Sequence, residues 1–314
     1  MAITTDIDGA VQLLQNSGLV ALPTETVYGL GANAMDAIAI AKVFKTKNRP
    51  SFDPLIVHVA SIDQAHKVAE LNEAALELFE RFSPGPLTLV LPKKDSVPDI
   101  VTSGHSTVAI RIPDHPMTLK VIRKSHLCIA APSANPFGYT SPTTAAHVQE
   151  QLGGKIDAIL DGGPCGVGLE STILDLSGVP RVLRLGGLAL EELEPVLGIL
   201  EVQTSSSNPN APGMLSAHYN PGARVRLFSN KKELIDSYYA VDNSKTGVLI
   251  MGQGLEGLAI FNLSESENII EAASRLFTGL RILSAKGYTE IWAHKLPDKG
   301  LGRAINDRLI RAAN

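Results

Sequence analysis

The feature that most constrains the fold of this chain is the alternation of short apolar runs with helix-like segments over its first two hundred residues. The runs are rich in Val, Ile and Leu and are bounded by Gly or Pro, which is typical of buried strands. Several connections between them are too short for a crossover helix. The pattern therefore predicts an α/β domain around a large twisted mixed sheet rather than a purely parallel one.

The predicted strands share this apolar, β-branched composition and are Leu19–Leu22, Leu55–Val59, Leu87–Leu91, Val108–Ile112, Ile129–Ala131, Ala158–Leu160, Thr172–Leu176 and Val182–Leu185. The predicted helices show apolar residues at helical spacing and are Ile7–Gln15, Ala37–Phe44, Ile62–Ala69, Glu73–Phe82, Met117–Lys124 and Thr143–Leu152.

The character of the chain changes near residue 200. Gln203–Ala211 is small and polar, as expected of a flexible link. Pro212–Gly222 contains prolines, a tyrosine and a histidine, which are more functional side chains than a simple spacer requires. Beyond it a β-α alternation predicts a small, parallel, Rossmann-like C-terminal domain. We therefore predict a catalytic domain over 1–200, a linker or lid over 201–222 and a C-terminal domain over 223–314.

The charge is unevenly distributed. Residues 1–222 contain 15 Lys and Arg against 22 Asp and Glu, a balance of −7, and residues 223–314 contain 13 against 10, a balance of +3. An acidic larger domain argues against general binding to a nucleic-acid backbone, which requires many cations. A few focused positive groups are still compatible with a small anionic ligand.

Cysteine content and hydropathy bear on the compartment. The two cysteines, Cys128 and Cys165, lack partner spacing, which favours a reducing environment over a disulfide framework or zinc site. No signal peptide and no apolar stretch of about 18 residues is visible. We expect a cytoplasmic protein.

Phosphate-binding and metal-binding motifs are scarce. The chain has no GxxxxGK[ST] loop, and Gly29–Asn33 (GLGAN) lacks the third glycine and the acidic residue of a dinucleotide site, so we interpret it as a tight turn. The eight histidines show no HExxH-like spacing, so no protein-only metal site is predicted.

Four cations lie close together at the predicted end of a helix and in the loop after it: Lys42, Lys45, Lys47 and Arg49. Cations near a helix C-terminus usually face water, and charge pattern alone favours that interpretation here. The context favours another, because Pro50 and Asp53-Pro54 fix the loop and lead directly into a buried strand. A Lys and an Arg on a fixed loop are suited to clamp a triphosphate.

His58 and Arg111 lie within predicted strands. A histidine there is most often a satisfied core residue. An arginine is rarely buried without an anionic partner, so Arg111 either pairs with an internal acid or binds a substrate carboxylate.

Two polar loops follow predicted strands: Ala131–Pro142, with Ser133, Asn135 and Ser141, and Gly166–Leu176, with Ser171. Such residues commonly cap their own backbone, but loops at strand ends are also where α/β sheets bind ligands. No Ser/His/Asp order for nucleophilic catalysis is present. The residues alone indicate an α/β enzyme that binds an anionic small molecule.

The motifs PTETVYGLG (Pro23–Gly31), KTKNRP with DPLIVHV, SPGPLTLVL (Ser83–Leu91), TVAIRIPDH, APSANPFG, ESTILDL and VLRLGG, taken together, resemble the YrdC/Sua5 family. PTETVYGLG and the KxR…SxN pattern are its strongest marks. The PGM…HY segment and the ending GLGRAINDRL resemble the two-domain Sua5 branch. The resemblance spans nearly the whole chain.

The resemblance implies an L-threonylcarbamoyladenylate synthase, a nucleotidyltransferase that converts ATP, L-threonine and bicarbonate to threonylcarbamoyl-AMP and pyrophosphate, with Mg²⁺ accompanying ATP. A partner transferase then passes the threonylcarbamoyl group to adenosine 37 of tRNA, so tight tRNA binding by this chain is not expected.

The resemblance also implies roles for individual residues. The residues implied to surround threonine are Thr26, His58, Arg111, Ala131 and Ser171. Those implied to bind ATP are Arg49, Asp53, Thr107, Ser133, Asn135, Ser141, Arg184 and Tyr219, with Lys47 and Arg49 facing the phosphates as the catalytic pair. Pro212–Gly222 is then expected to close over the nucleotide as a lid.

Three rival interpretations remain. A non-catalytic RNA-binding module is disfavoured by the charge of residues 1–222. A carbamoylation of the hydrogenase-maturation type is disfavoured because no acylphosphatase domain or CxxC motif is present. The third is a regulatory amino-acid or nucleotide sensor that uses the C-terminal domain.

Overall fold

The computed structural model describes residues 2–204, 211–212, 218–257 and 259–314. They form two compact units. The first contains the residues up to Phe137, Pro142–Gly166 and those from Glu170 to Pro212, and the second contains Gly138–Ser141, Val167–Leu169 and those from His218 onward. Most of the expected linker and lid, residues 205–210 and 213–217, lies outside the described residues.

The first unit alternates short strands and helices. Its strands are β1 (Ala2–Thr4), β2 (Val20–Leu22), β3 (Gly29–Asn33), β4 (Ile56–His58), β5 (Leu87–Pro92), β6 (Thr107–Arg111), β7 (Ile129–Ala130), β8 (Ala158–Leu160), β9 (Thr172–Asp175), β10 (Arg181–Arg184) and β11 (Glu201–Val202). Its helices are α1 (Ile7–Gln15), α2 (Ala37–Lys47), α3 (Ile62–Ala65), α4 (Glu73–Phe82), α5 (Asp99–Thr102), α6 (Pro116–Ser125), α7 (Ala145–Leu152) and α8 (Leu190–Leu197).

These strands form one mixed sheet in the order β1-β8-β2-β3-β7-β4-β6-β5-β9-β10-β11. β4 and β6 run parallel, whereas β5 and β6, β4 and β7, and β9 and β10 run antiparallel. The predicted large mixed sheet is therefore confirmed.

The two faces of this sheet have different contents, because successive side chains of a strand point to opposite faces. One face packs against helices in the main core, which includes Val57, Leu89 and Ile110. The opposite face carries only a small apolar cluster between β4 and β10: Ile56, Val90, Ala109, Ile173, Leu183 and Ala211. Near β2 and β8 this second face is covered by α1 and α6. Polar side chains of this second face, such as His58 and Arg111, lie on the stretch between β4 and β10.

The interpretation of Gly29–Asn33 as a tight turn is wrong. The segment is strand β3 and pairs antiparallel with β2. A Cβ on Gly31 would lie 2.8 Å from Leu22 Cδ1, so glycine is required here for close packing within the sheet rather than for a turn.

The second unit contains strands β12 (Arg224–Phe228), β13 (Thr246–Ile250), β14 (Ile260–Asn262) and β15 (Glu290–His294) and helices α9 (Lys231–Ala240), α10 (Ile269–Ala285) and α11 (Leu301–Ala313). The strands form a parallel sheet in the order β12-β15-β13-β14. This confirms the predicted Rossmann-like domain, with β14 as an additional short strand that the apolar pattern did not indicate.

Two further observations concern the chain as a whole. Cys128 and Cys165 are both buried and free. Among the described residues, no helix combines the length and the apolar character needed to cross a lipid bilayer.

Gly186, in the loop after β10, offers a test of the packing beside β9. A Cβ at Gly186 would lie 2.3 Å from Glu170 O and 2.4 Å from Ser171 C, both backbone atoms. We expect Gly186→Ala to cost about 1–3 kcal/mol in the free energy of unfolding, measured by denaturant titration.

Gly178→Ala is the matched control, because a Cβ there meets no atom within 4 Å and its φ is not in the left-handed region. We expect it to leave stability unchanged or to raise it slightly. Equal stability of the two variants would contradict the close packing around Gly186.

Candidate functional site

Polar side chains of the first unit meet on the sheet face opposite the main core, between β4 and β10. His58 of β4 lies opposite Arg111 of β6, and Arg111 lies opposite Thr88 of β5. Residues directly opposite each other on paired strands point to the same face. Since Ile56 and Ala109 of the small apolar cluster share that face, the three polar side chains stand at one edge of the cluster.

Ser171 and Arg184 extend the polar group along the sheet. Arg184 of β10 lies opposite Ile173 of β9 and donates to Ser171 O and Ser171 Oγ, each at 3.0 Å. Ser171 Oγ is also 2.7 Å from Thr88 Oγ1. All three side chains are buried, so this network fixes the Ser171 hydroxyl against Thr88 of β5, the strand that pairs with the one carrying Arg111.

Arg111 pairs with Glu25 of the loop after β2. Arg111 Nη2 lies 2.6 Å from Glu25 Oε1, and the side chains are only 4% and 12% exposed. Arg111 Nε donates to Gly85 O at 3.2 Å. The internal pairing that the sequence left open therefore exists, with a glutamate as the partner.

His58 is buried beside this pair. Burial, followed by the nearby Arg111 charge, lowers the pKa of His58 from 6.5 to about 3. Within the part of the chain that the structure describes, its Nδ1 has no hydrogen-bond partner. The Nδ1 atom of His58 is thus unsatisfied by the described residues, and its strand is buried as expected.

Two further predicted threonine contacts lie in neighbouring segments. Thr26 is fully buried, and its Oγ1 is 2.8 Å from Thr24 Oγ1 in the loop that carries Glu25. Ala131 follows β7, and its backbone N–H donates to Ile56 O at 3.0 Å.

The side chains of Lys47 and Arg49 are buried at the C-terminal end of α2. Asn48, in the left-handed conformation with φ 52°, ends the helix. Lys47 is 1% exposed, and its Nζ donates to the carbonyl oxygens of Ser133 and Asn135. The solvent-facing interpretation of this cation cluster is wrong for Lys47 and Arg49 and holds for Lys42 and Lys45, which are exposed.

Arg49 is held by the loop that follows it. Its Nε donates to Asp53 O at 2.9 Å and its Nη2 to Pro54 O at 2.8 Å, and Nη2 also lies 2.8 Å from Asp53 Oδ1. The guanidinium stands 5.9 Å from the Phe137 ring centroid. Asp53-Pro54 thus fixes Arg49 in place, as the loop sequence suggested.

The cations around Asp53 are coupled. Burial, followed by the Arg49 charge, holds the pKa of Lys47 well below its usual value of 10.5. Burial raises the pKa of Asp53, against the lowering effects of Arg49, Lys47 and Arg184. Asp53 therefore lies within electrostatic range of three basic side chains.

The remaining predicted ATP contacts are dispersed. Ser133 and Asn135 lie in the loop that accepts from Lys47. Thr107 is half-buried at the start of β6, at the opposite end of that strand from Arg111. Ser141 and Tyr219 belong to the second unit, where both are buried and Tyr219 stacks on Phe277 at 5.4 Å.

Ala211 and Pro212 also contact the face of the sheet that carries Arg111 and Arg184. Ala211 is fully buried in the cluster with Ile56, Val90 and Ala109. Arg184 Nη1 donates to Pro212 O at 3.3 Å.

Sequence reasoning missed two polar residues of this face, Glu25 and Thr88. Each stands within one of the family motifs, but a single acid between threonines and a single threonine in a strand carry no functional signal by themselves. The alternation of the strand could have indicated Thr88, because it is the polar residue in an otherwise apolar run and its side chain must point to the face opposite that of Leu87 and Leu89.

A mixed sheet with buried arginine and hydroxyl side chains on one face, and a second unit with a small parallel sheet, define a two-unit α/β protein. Two family models match the chain. The model of Sua5, YciO and YrdC proteins, described as telomere recombination, matches residues 12–186. Another, described as threonylcarbamoyl-AMP synthase, C-terminal domain, matches residues 188–314. The chain belongs to the Sua5/YciO/YrdC family, as its motifs predicted.

Curated relatives and a solved structure agree with this assignment. A threonylcarbamoyl-AMP synthase of Pyrococcus abyssi is 43% identical over 97% of this chain and 93% of its own length. The enzyme of the same name in Bacillus subtilis is 41% identical over 97% of this chain and 92% of its length. The crystal structure of P. abyssi Sua5 complexed with L-threonine has a TM-score of 0.92 at 42% identity and covers 98% of this chain and 94% of that chain.

The low pKa of His58 generates a prediction on stability. Between pH 6.5 and about 3 the unfolded chain binds a proton on this histidine that the folded chain does not. Stability must therefore fall as pH falls through this window, by about 1.4 kcal/mol per pH unit from this group. We expect His58→Asn to remove that contribution.

The measurement is the free energy of unfolding of both proteins from about pH 7 downward. The difference near pH 7 gives the packing cost of the substitution. Below pH 6.5 the two curves should converge, because only the histidine protein loses this contribution. Parallel curves would contradict the assignment.

Proposed function

We propose that this chain is a threonylcarbamoyl-AMP synthase, which converts L-threonine, bicarbonate and ATP to threonylcarbamoyl-AMP and pyrophosphate. The relatives with 37–43% identity over nearly the whole chain all carry that name, which bears out the activity predicted from the sequence. The observation that carries the proposal is the juxtaposition of two buried groups in one unit. Arg111 and Ser171 share a sheet face, and Lys47 and Arg49 are fixed beside Asp53. Arg184 links the two groups, because it donates to Ser171 and its charge acts on Asp53.

The Arg111 group suits threonine. A planar guanidinium offers a bidentate partner to a carboxylate. Ser171, Thr26 and His58 offer hydroxyl and imidazole groups for the side-chain hydroxyl, and all three are buried. A buried site that hydrogen-bonds a substrate hydroxyl rejects analogues that lack it, because its own polar groups would be left unpaired.

The Lys47 group suits the phosphates of ATP. Lys47 and Arg49 are held by backbone carbonyls and Asp53, so both side chains are in position before the nucleotide arrives. We assign Asp53, Thr107, Ser133, Asn135, Ser141, Arg184 and Tyr219 to the nucleotide as well. The carbamate oxygen formed from threonine attacks the α-phosphate, and Lys47 and Arg49 stabilise the charge on the departing pyrophosphate. This chemistry requires positioning and no covalent enzyme intermediate.

Mg²⁺ belongs to the proposal as a companion of ATP. Within residues 2–204, 211–212, 218–257 and 259–314, no group of three or more His, Cys, Asp or Glu side chains is placed to hold a metal ion. Asp53, the acid beside the cations, is occupied by Arg49. The surroundings of Asp53 fit a Mg²⁺ ion that is held by the phosphates and water, which is how Mg²⁺ usually binds to nucleotides. When bound, the ion would offset the charge of the phosphates.

The remaining parts of the proposal concern the fate of the product and the closure of the site. The product is handed to a transferase that modifies tRNA, and this chain itself does not hold tRNA tightly. Ala211 and Pro212 contact the polar face of the first unit, which supports the proposal that the adjoining segment acts as a lid over the nucleotide. We assign Tyr219, which lies within the predicted linker or lid over 201–222, to the same role.

Substitution of the buried cations tests the ATP half of the proposal. We expect Lys47→Met and Arg49→Gln each to lower kcat for pyrophosphate release by about 10²–10³-fold, the usual loss when one group that stabilises transition-state charge is removed. Lys45→Gln is the control, because Lys45 lies on the same helix end but is exposed, and it should keep wild-type turnover. Circular dichroism confirms that each variant is folded. Wild-type turnover by Lys47→Met and Arg49→Gln would refute the assignment.

The reaction itself is tested by pyrophosphate release from ATP with threonine and bicarbonate omitted in turn. The synthase requires both, so omission of either should abolish release. Release that does not depend on threonine, or tight tRNA binding without turnover, would favour a rival function.

A further inference from the structure

Glu25 is a buried acid of the first unit that has no role in the reaction proposed above. It lies in the loop between β2 and β3 and contacts Arg111 at 2.6 Å, with its side chain 12% exposed. Neither carboxylate oxygen has a hydrogen-bond partner among the described residues, and neither does Arg111 Nη2. The ion pair is therefore close in distance but not aligned for hydrogen bonding.

A carboxylate with a purely structural role looks different in this chain. Asp175 is also buried and paired with an arginine, and it accepts from Ser177 N, Ser177 Oγ, Arg181 Nε and Arg181 Nη2 at 2.6–3.1 Å. Leaving a buried polar group without hydrogen bonds costs free energy, so such groups are expected where a ligand completes them. Glu25 and Arg111 together leave one donor and two acceptors for that ligand.

The groups around Glu25 leave its charge free to act on a cation. They are Arg111 of β6, the His115 ring at the start of α6 and the Cys165 thiol after β8. Burial lowers the pKa of His115 and raises that of Cys165 to about 12, so both are neutral near pH 7. Arg111 is thus the charged group that Glu25 contacts, and a ligand that engages Arg111 would release the carboxylate.

An α-amino acid has both charges needed for this exchange. Its carboxylate replaces Glu25 on Arg111, and its ammonium group replaces Arg111 on Glu25, so the ion pair opens into two new ones. We propose that Glu25 is a catalytic residue that binds the α-ammonium group of the amino-acid substrate and takes the proton that this group must lose before its nitrogen reacts. This inference rests on the proposed function.

Atoms and protons balance in this step. The ammonium group transfers one proton to a Glu25 oxygen and becomes a neutral amine. The amine lone pair forms the bond to the bicarbonate carbon, and the hydroxide of bicarbonate leaves with a second amine proton as water. The products are the N-carboxylated amino acid, water and protonated Glu25, which returns its proton to solvent.

The binding test uses the full chain, L-threonine and its hydroxy-acid analogue, in which a hydroxyl replaces the amine. We expect the wild-type protein to prefer threonine by about tenfold to a hundredfold in calorimetric Kd, the range for a charge-assisted hydrogen bond. Glu25→Gln should lose most of that preference. Asp175→Asn is the control, because it removes a buried, arginine-paired carboxylate outside this group and should keep the preference while lowering the thermal midpoint.

The kinetic test is the pH profile of pyrophosphate release from about pH 7 to about pH 9. Without Glu25 only the fraction of threonine that is already deprotonated can react, so Glu25→Gln should be slow and should gain activity steeply with pH. The wild-type profile should be flatter, and Glu25→Asp, which keeps the carboxylate, should be slower than wild type but equally flat.

The outcomes separate this inference from the proposed function. Equal wild-type affinity for threonine and the hydroxy acid would overturn the role of Glu25, whether or not the variants fold. A wild-type preference and pH profile in Glu25→Gln would overturn it too. If the wild-type protein released no pyrophosphate in response to threonine, the proposed synthase activity itself would fail.

Discussion

Desolvation of positive charge is the constraint on which the first unit depends. Removing a cation from water costs several kcal/mol unless nearby groups replace its hydration. The structure meets this cost in different ways for four buried cations of this unit. Lys47 donates to two backbone carbonyls, and Arg49 donates to backbone carbonyls and pairs with Asp53. Arg184 donates to Ser171, and Arg111 pairs with Glu25. Only a rigid scaffold can hold such partners in place.

The scaffold comes from the way loops are attached to the sheet and to α2. Asn48 ends α2 in a left-handed conformation, and Phe137 N donates to Lys47 O at 2.8 Å, which ties the loop after β7 to the helix end. The same loop supplies the carbonyls of Ser133 and Asn135. The KxR and SxN motifs are thus two halves of one structural element, in which the lysine of the first is bound by the backbone of the second.

The sheet divides its side chains between stability and binding. Val57, Leu89 and Ile110 pack under helices, while residues at alternate positions, such as His58 and Arg111, face the opposite side of the sheet. A substrate over this face would meet a surface backed by the main core. This geometry explains why polar residues occur within strands that otherwise look completely apolar.

The apolar periodicity by itself determined the larger elements: the mixed sheet, most of its strands and the parallel domain after residue 222. It failed at Gly29–Asn33, because glycine marks both turns and close strand packing and only the neighbouring Leu22 distinguishes them. The sequence pattern also could not show whether Lys47 and Arg49 are buried or exposed. Cations at a helix end look alike in sequence whether they face water or backbone carbonyls.

The motifs identified the family and therefore the expected residues, but only the tertiary structure decided which partners hold these residues. The pairing of Arg111 with Glu25, 86 positions apart by their numbers, depends on β6 ending beside the loop after β2. Likewise the Ser171 hydroxyl is fixed by Thr88 and Arg184, which come from two other strands. Local sequence specifies strand and helix because those depend on near neighbours, whereas partners of buried charges come from distant segments and are set only when the sheet assembles.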